Sequence, residues 1–109
     1  IRKDSNAIYQ FIVERKITGF GGTTPLIELL INNYDLPLRF ITAGGDKLEG
    51  VYSNTMSIIN LYGPTECTDD ITYYAIRPGE RPSRIPIGRT VANSWSFVVD
   101  SEGNPDPDL

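Results

Sequence analysis

The stretch from Met56 to Glu66 constrains the fold more than any other part of this 109-residue chain. Residues 56–61 are largely apolar and are bounded by turn residues, which predicts a buried strand. Gly63 and Pro64 then end the strand, because proline cannot donate to a sheet and glycine accepts unusual φ angles. A tyrosine ring, a hydroxyl and a carboxylate follow within residues 62–66. Since ligands bind at strand ends in open α/β sheets, this stretch is a candidate wall of a nucleotide and carboxylate site.

The segments before this stretch alternate between helical and strand patterns. The first predicted elements are a helix capped by Asp4 or Ser5 and a strand over 17–20 that ends at Gly21 and Gly22. A second helix follows, with Thr24 as N-cap and Pro25 at its start, and then a strand over 38–42 that ends at Gly44 and Gly45. An irregular or helical piece over 46–55 leads to the strand over 56–61. This alternation favours parallel strands joined by helical crossovers.

The segments after Glu66 have a different texture, rich in β-branched residues, aromatics and turn formers. We expect a strand over 71–76, a loop over 77–89, a strand over 95–100 with Trp95 in the core, and a turn over 101–104. The predicted fold is therefore α/β, with an α/β part over 1–66 followed by an antiparallel β part over 67–109.

Composition excludes several classes of function. The chain has no histidine and one cysteine, so it cannot build a Ser-His-Asp triad, a histidine zinc site or an intrachain disulfide. No basic patch suits nucleic acid, and no apolar stretch approaches membrane-spanning length, so we expect neither partner and a cytoplasmic location. Because the chain opens on Ile1 and closes on loop-like residues 103–109, we expect a fragment of a larger protein.

Thr65 and Glu66 carry the strongest candidate chemistry. A hydroxyl can donate to a phosphate oxygen, and a carboxylate can hold Mg²⁺ together with substrate phosphates. Alternatively, Thr65 caps a short helix with Glu66 in its first turn, and spacing does not decide between the two. Gly44 and Gly45 likewise form either a plain turn or a flat surface for a ligand.

Asp69 and Asp70 form a second candidate, as a general acid/base, a metal site or a receptor for a cation, or else as two solvated turn acids. If the chain is extended here, their side chains point to opposite faces, so one would receive a ligand ammonium while the other faces solvent. Cys67 is expected to be a small buried side chain, because no histidine is present to activate it.

Asn60–Glu66, with the sequence NLYGPTE, resembles the core motif of adenylate-forming enzymes, in the form typical of amino-acid adenylation domains of nonribosomal peptide synthetases. Four further stretches resemble that family in the same order: Ile17-Thr18 followed by Pro25, Ile41–Asp46 (ITAGGD), Pro86–Arg89 with Asn93, and Ser96–Gly103. The resemblance covers nearly the whole chain.

This resemblance implies a set of nucleotide contacts. Tyr62 would lie along adenine and Asn60 would hydrogen-bond its amino group, with Gly63 beside them. The backbone of Gly44 and Gly45 would pass beneath the base. Thr65 would bind the α-phosphate and Glu66 the Mg²⁺. The implied reaction joins an amino acid to ATP as an aminoacyl-AMP, for loading onto the phosphopantetheine thiol of a carrier domain beside a condensation domain.

The resemblance also implies an amino-acid pocket. Its positions here are Ile41, Ala43, Leu61, Asp69, Asp70 and either Gly21 or Gly22. Such a pocket predicts a substrate side chain that is cationic or that forms hydrogen bonds.

Other catalytic elements of the family would lie outside this chain, so the chain alone is expected to be inactive. The alternatives are a fragment of an acyl-CoA or aryl-acid ligase of the same superfamily, and a stand-alone nucleotide-binding or interaction module.

Overall fold

A computed structural model describes residues 2–106 of the chain, and the side chains of residues 4–106. The elements in chain order are helix α1 (Arg2–Glu14), strand β1 (Gly19–Thr23), helix α2 (Thr24–Asn33), strands β2 (Phe40–Gly44) and β3 (Ser57–Tyr62), a 3₁₀ helix (Thr65–Cys67), and strands β4 (Thr72–Ile76) and β5 (Arg89–Thr90). None of the described helices has the length and apolar character needed to cross a membrane.

The strands form one sheet in the order β1-β2-β3-β4-β5. The first three strands are parallel, whereas β4 pairs antiparallel with both β3 and β5. The predicted α/β fold class, with parallel strands followed by an antiparallel segment, is confirmed. The proposed division near residue 66 falls between β3 and β4, which are paired in this sheet.

The hydrophobic core lies between the helices and one face of the sheet. Ile41, Ile58 and Ile76 stand side by side in the sheet register and are fully buried. Ile27 of α2 and Ile12 of α1 belong to the same cluster. Burying each of these side chains contributes roughly 1.5–3 kcal/mol, so these residues fix which face of the sheet the helices cover.

Strand β1 differs from its prediction, because it runs through Gly21 and Gly22 instead of ending there. The reason lies in the neighbouring strand. A Cβ atom on Gly19 would stand 2.3 Å from the Phe40 ring, and one on Gly21 would stand 2.5 Å from Thr42 Oγ1. The glycines therefore allow side chains of β2 to lie across the backbone of β1.

Both helix starts also differ from their predictions. Helix α1 begins at Arg2, so Asp4 and Ser5 lie inside it and do not cap it. The N-cap of α2 is Thr23, and no side chain caps that end. The hydroxyl of Thr24 is used elsewhere, as a donor to the carbonyls of Gly44 and Asp46.

The predicted strand over 95–100 is wrong. Within the described residues this segment forms a single bridge, between Val99 and Pro105. Trp95 is 83% exposed and is not part of the core, because no other strand lies beside it for its ring to pack on. Residues 46–55 are irregular and not helical, which was the first of the two alternatives that the sequence left open for this segment.

The turn predicted over 101–104 is confirmed. The Asp100 carboxylate accepts hydrogen bonds from the N–H groups of Glu102 and Asn104. These hydrogen bonds lower the pKa of Asp100, and the bond from Asn104 contributes most.

Candidate functional site

Two clefts open where β2 and β3 end side by side. Gly44 and Leu61 are paired in the sheet register, and Gly45 and Gly63 follow just beyond them. The first cleft has a volume of about 720 Å³ and extends to Asp70. The second, of about 370 Å³, lies toward residues 85–87. Gly45, Leu61 and Gly63 border both clefts and form a shared wall between them.

Asn60 and Tyr62 line the second cleft. Asn60 is 5% exposed, and its Nδ2 donates to the carbonyl of Pro86 at 2.9 Å. This bond fixes the orientation of the side-chain amide. No described residue donates to Asn60 Oδ1, so this oxygen remains an acceptor beside the cleft. The tyrosine ring is 49% exposed and offers a flat apolar surface at the same place.

Gly63 allows the chain to cross over itself at the first cleft. A Cβ atom at this position would lie 2.2 Å from the carbonyl oxygen of Asp69 and 2.7 Å from the Cα of Asp70. The N–H of Ile71 donates to the carbonyl of Tyr62 at 2.8 Å and holds the returning chain there. Glycine at residue 63 therefore brings the two aspartates to the cleft.

Thr65 and Glu66 begin the 3₁₀ helix, whose N-cap is Pro64. The alternative in which Thr65 is the cap is therefore wrong, although Glu66 does lie in the first turn. Both side chains are exposed, and neither forms a hydrogen bond or ion pair with any described residue. The hydroxyl and the carboxylate are thus available to a ligand. Cys67, predicted to be buried, is exposed.

Asp69 and Asp70 do not point to opposite faces as an extended chain would require. Thr68 has a φ of 71°, which breaks the extended geometry just before them. Both aspartates line the first cleft. Burial of the carboxyl raises the pKa of Asp70, and the neighbouring Asp69 raises this pKa further through its charge and by accepting a hydrogen bond.

Asp70→Asn is expected to raise the midpoint of thermal unfolding of the chain at pH 7. A carboxyl whose pKa is raised by folding binds its proton more tightly in the folded state than in the unfolded state. Its stabilising contribution is therefore present at low pH and is lost as the pH rises through the folded pKa. The gain from Asp70→Asn should shrink as the pH falls and Asp70 takes up its proton.

Unfolding curves measured at a series of pH values check this prediction. Asp35→Asn, which changes an exposed acid outside the first cleft, is the matched control. A gain from Asp70→Asn that equals the gain from the control, or that does not change with pH, would contradict the burial of this carboxyl.

The substrate-pocket residues assigned by resemblance divide between the two faces of the sheet. Ile41 and Ala43 are fully buried in the core beneath the helices. Thr42 and Gly44, which alternate with them along β2, line the first cleft, as does Leu61. The backbone of Gly22 also borders this cleft, whereas a side chain at Gly21 would lie against Thr42 on the cleft face.

Sequence reasoning missed several residues that border the clefts. These are Thr23, Thr42, Pro64 and Thr68 at the first cleft, and Asp46, Lys47, Leu48, Ile85 and Ile87 at the second. Thr42 could have been found from strand alternation, because it stands two residues before Gly44 and therefore on the same face. Ile85 gave no such signal, because it lies in a loop far along the chain, whereas Ile87 belongs to the Pro86–Arg89 stretch, to which no contact was assigned.

A family model described as AMP-binding enzyme matches residues 1–109, the full length of the chain. The chain belongs to the AMP-binding enzyme family. Tyrocidine synthase 3 of Brevibacillus parabrevis is 33% identical to this chain over 95% of the chain's length. Surfactin synthase subunit 2 of Bacillus subtilis is 36% identical over 74% of it. The chain spans 2% of the length of each of these relatives.

Solved nonribosomal peptide synthetases share the fold of this chain. One, containing adenylation and PCP domains, superimposes with a TM-score of 0.77 at 24% identity, covering 94% of this chain and 23% of that one. The α-methyl-L-serine-AMP bound form of FmoA3 (S1046A) gives a TM-score of 0.72 at 20% identity, covering 93% of this chain and 13% of that one. With the family match, these relatives confirm the resemblance to adenylation domains of nonribosomal peptide synthetases.

Proposed function

We propose that this chain is part of an amino-acid adenylation domain, in which an amino-acid carboxylate attacks the α-phosphorus of ATP to give an aminoacyl-AMP and pyrophosphate. The observation that supports this most is the pair of clefts with a shared wall at Gly45, Leu61 and Gly63. Two ligand sites separated by one backbone layer suit a reaction that joins two substrates. The chemistry requires positioning and charge neutralisation more than covalent catalysis, so a site without histidine is adequate for it.

The second cleft would receive the adenine of ATP. Tyr62 offers its ring to the flat base, and Ile87 provides an apolar side chain across the cleft. The fixed amide of Asn60 leaves an oxygen acceptor for the adenine amino group. Gly45 borders this cleft and carries no side chain that would obstruct the base, whereas Gly44 borders the first cleft.

Thr65 lines the first cleft, and Glu66 follows it in the 3₁₀ helix; together they would meet the phosphates of ATP. The Thr65 hydroxyl can donate to an α-phosphate oxygen, and Glu66 can ligate Mg²⁺. One exposed carboxylate fits this ion, because Mg²⁺ usually takes one or two carboxylates together with substrate phosphates. No group of three metal-ligating side chains occurs among the described residues, so the other ligands of the ion would be substrate phosphates and waters. When bound, the ion would neutralise charge on the phosphates.

The first cleft would hold the amino acid, with its side chain near Thr42, Gly44, Leu61 and Asp70. The aminoacyl group of the aminoacyl-AMP would pass to a phosphopantetheine thiol on a carrier domain, and a condensation domain would act next. A cytoplasmic location remains a prediction.

Amino-acid-dependent exchange of pyrophosphate into ATP by the full-length protein tests this function. Exchange with amino acids supports the proposal, whereas exchange only with acids that lack an amino group would identify an acyl-CoA or aryl-acid ligase instead. The 109-residue chain by itself is expected to give no exchange. Tight binding of ATP by this chain alone, measured by calorimetry, would favour a stand-alone nucleotide-binding module.

Asp70→Ala in the full-length protein is expected to lower kcat/KM for amino acids with a cationic side chain by about 10- to 100-fold. Such a substrate would lose its charged partner, which is worth roughly 1.5–3 kcal/mol for a hydrogen bond to a charged group. Asp69 is more exposed than Asp70 and should contribute less.

Profiling the exchange reaction across cationic, polar and apolar amino acids provides the measurement, with Asp35→Ala as the control. If Asp69→Ala and Asp70→Ala both leave a cationic preference unchanged, the aspartates do not select the substrate. A preference for uncharged polar side chains in the unmodified protein would favour the second hypothesis, a substrate bound through hydrogen bonds.

A further inference from the structure

Thr24 joins the start of helix α2 to the turn that follows strand β2. Its side chain is 2% exposed, and its Oγ1 lies 3.0 Å from the carbonyl oxygen of Asp46 and 3.3 Å from that of Gly44. A threonine hydroxyl has one hydrogen, so the two carbonyls share this donor. Because Thr23 is the N-cap, the Thr24 hydroxyl is not needed to cap the helix.

Glu28 makes a second connection to the same turn. Its Oε1 accepts a hydrogen bond from the N–H of Glu49 at 3.2 Å. Residues four apart lie on one side of a helix, so Thr24 and Glu28 reach the turn from the same side of α2. Together they hold both ends of residues 44–49, the segment that we call the glycine turn.

The glycine turn has little internal structure to hold its shape. Gly45 has a φ of 94°, and regular structure ends at Gly44. Within the turn, Lys47 donates its N–H to Asp46 and forms an exposed ion pair with Glu49. Besides the hydrogen bonds to Thr24 and Glu28, the side chain of Leu48 attaches the turn to the protein, because it is buried in the core. Its apolar contacts fix the depth of the turn but not the direction of its carbonyls.

The glycine turn borders both clefts, which makes its position important for ligand binding. Gly44 and Gly45 line the first cleft, and residues 45–48 line the second. A shift of the turn would therefore change the width of both clefts.

We propose that Thr24 is a positioning residue, which holds the shared wall of the two clefts in register through the carbonyls of Gly44 and Asp46. Glu28 assists by holding the far end of the glycine turn. The effect on ligand affinity rests on the proposed function, whereas the effect on the turn itself does not.

Thr24→Val and Thr24→Ser in the full-length protein provide the test. Valine keeps the shape of threonine and removes the hydroxyl, whereas serine keeps the hydroxyl. Thr24→Val is expected to raise the KM for ATP about 5- to 10-fold, the effect of one lost hydrogen bond, with a smaller change in kcat. Thr24→Ser should stay within about twofold of the unmodified protein. Asn33→Ala is the control, because its side chain bonds only within α2, to Leu29.

Hydrogen–deuterium exchange of residues 45–49 gives a readout that does not depend on catalysis. Thr24→Val should exchange these amides about 5- to 10-fold faster than Thr24→Ser, and Glu28→Ala should do so at Glu49 alone. Faster exchange spread evenly over the protein would indicate a general loss of stability and overturn the proposal, as would unchanged exchange in Thr24→Val. If the unmodified protein shows no pyrophosphate exchange, the proposed function fails. The hydrogen–deuterium exchange rates of residues 45–49 would still decide whether Thr24 positions the glycine turn.

Discussion

Glu66→Gln is expected to reduce amino-acid-dependent pyrophosphate exchange by the full-length protein about 10²- to 10³-fold, as removal of one electrostatic stabiliser does in other enzymes. The substitution keeps the size of the side chain and removes the charge that we propose binds Mg²⁺. No group of three or more metal-ligating side chains occurs among the described residues. Because the Glu66 side chain is exposed and has no partner in the described part of the chain, its removal should not lower stability.

A magnesium titration separates this role from a structural one. Glu66→Gln should need more Mg²⁺ to reach its maximal rate, and its midpoint of thermal unfolding should match that of the unmodified protein. Glu102→Gln, an equivalent change in the exposed 101–104 turn, is the control and should keep full activity. Equal activity in the two variants would show that the Glu66 carboxylate does not take part in the reaction.

Gly63→Ala is expected to lower the free energy of unfolding by about 2–4 kcal/mol, because overpacking against backbone cannot be relieved by a rotamer change. The added methyl group would stand 2.2 Å from the carbonyl oxygen of Asp69, within the chain that crosses residue 63. The crossing chain would have to move and would carry Asp70 away from the first cleft. In the full-length protein, activity should fall together with stability.

Gly79→Ala is the matched control for this experiment. Gly79 has a φ of 86°, and a Cβ atom there would meet nothing within 4 Å. Alanine at residue 79 should therefore cost only the roughly 1–2 kcal/mol of a left-handed conformation. Urea unfolding of the two variants compares the costs directly. A Gly63→Ala cost no larger than the Gly79→Ala cost would mean that the chain does not cross residue 63 this closely.

Much of the fold followed from local patterns along the chain. The strand after Met56 and the strand before Arg77 lie within one residue of their predicted positions. Gly63 and Pro64 end β3 as expected, and α2 begins with proline in its first turn. These features were predictable because each depends on a few adjacent residues and on the geometry that glycine and proline impose.

Two features that depend on distant partners were predicted wrongly. The strand pattern over 95–100 predicts Trp95 in the core, but its side chain is exposed in the described part of the chain. The glycines of β1 suggested a break, yet they accommodate Phe40 and Thr42 from the next strand. In each case the outcome depended on what lay beside the residue, and that information is not local in the sequence.

The motif Asn60–Glu66 was identified from the sequence by itself, with its strand, its turn and the chemical groups that follow. Only the tertiary structure decided which neighbours face the clefts: Thr42 and Gly44 rather than Ile41 and Ala43, with Asp69 and Asp70 side by side. The physical reason is the two-residue period of a strand, in which a shift of one position moves every side chain to the opposite face. The sheet pairing and the crossing at Gly63 set that position, and both depend on contacts between residues far apart in the chain.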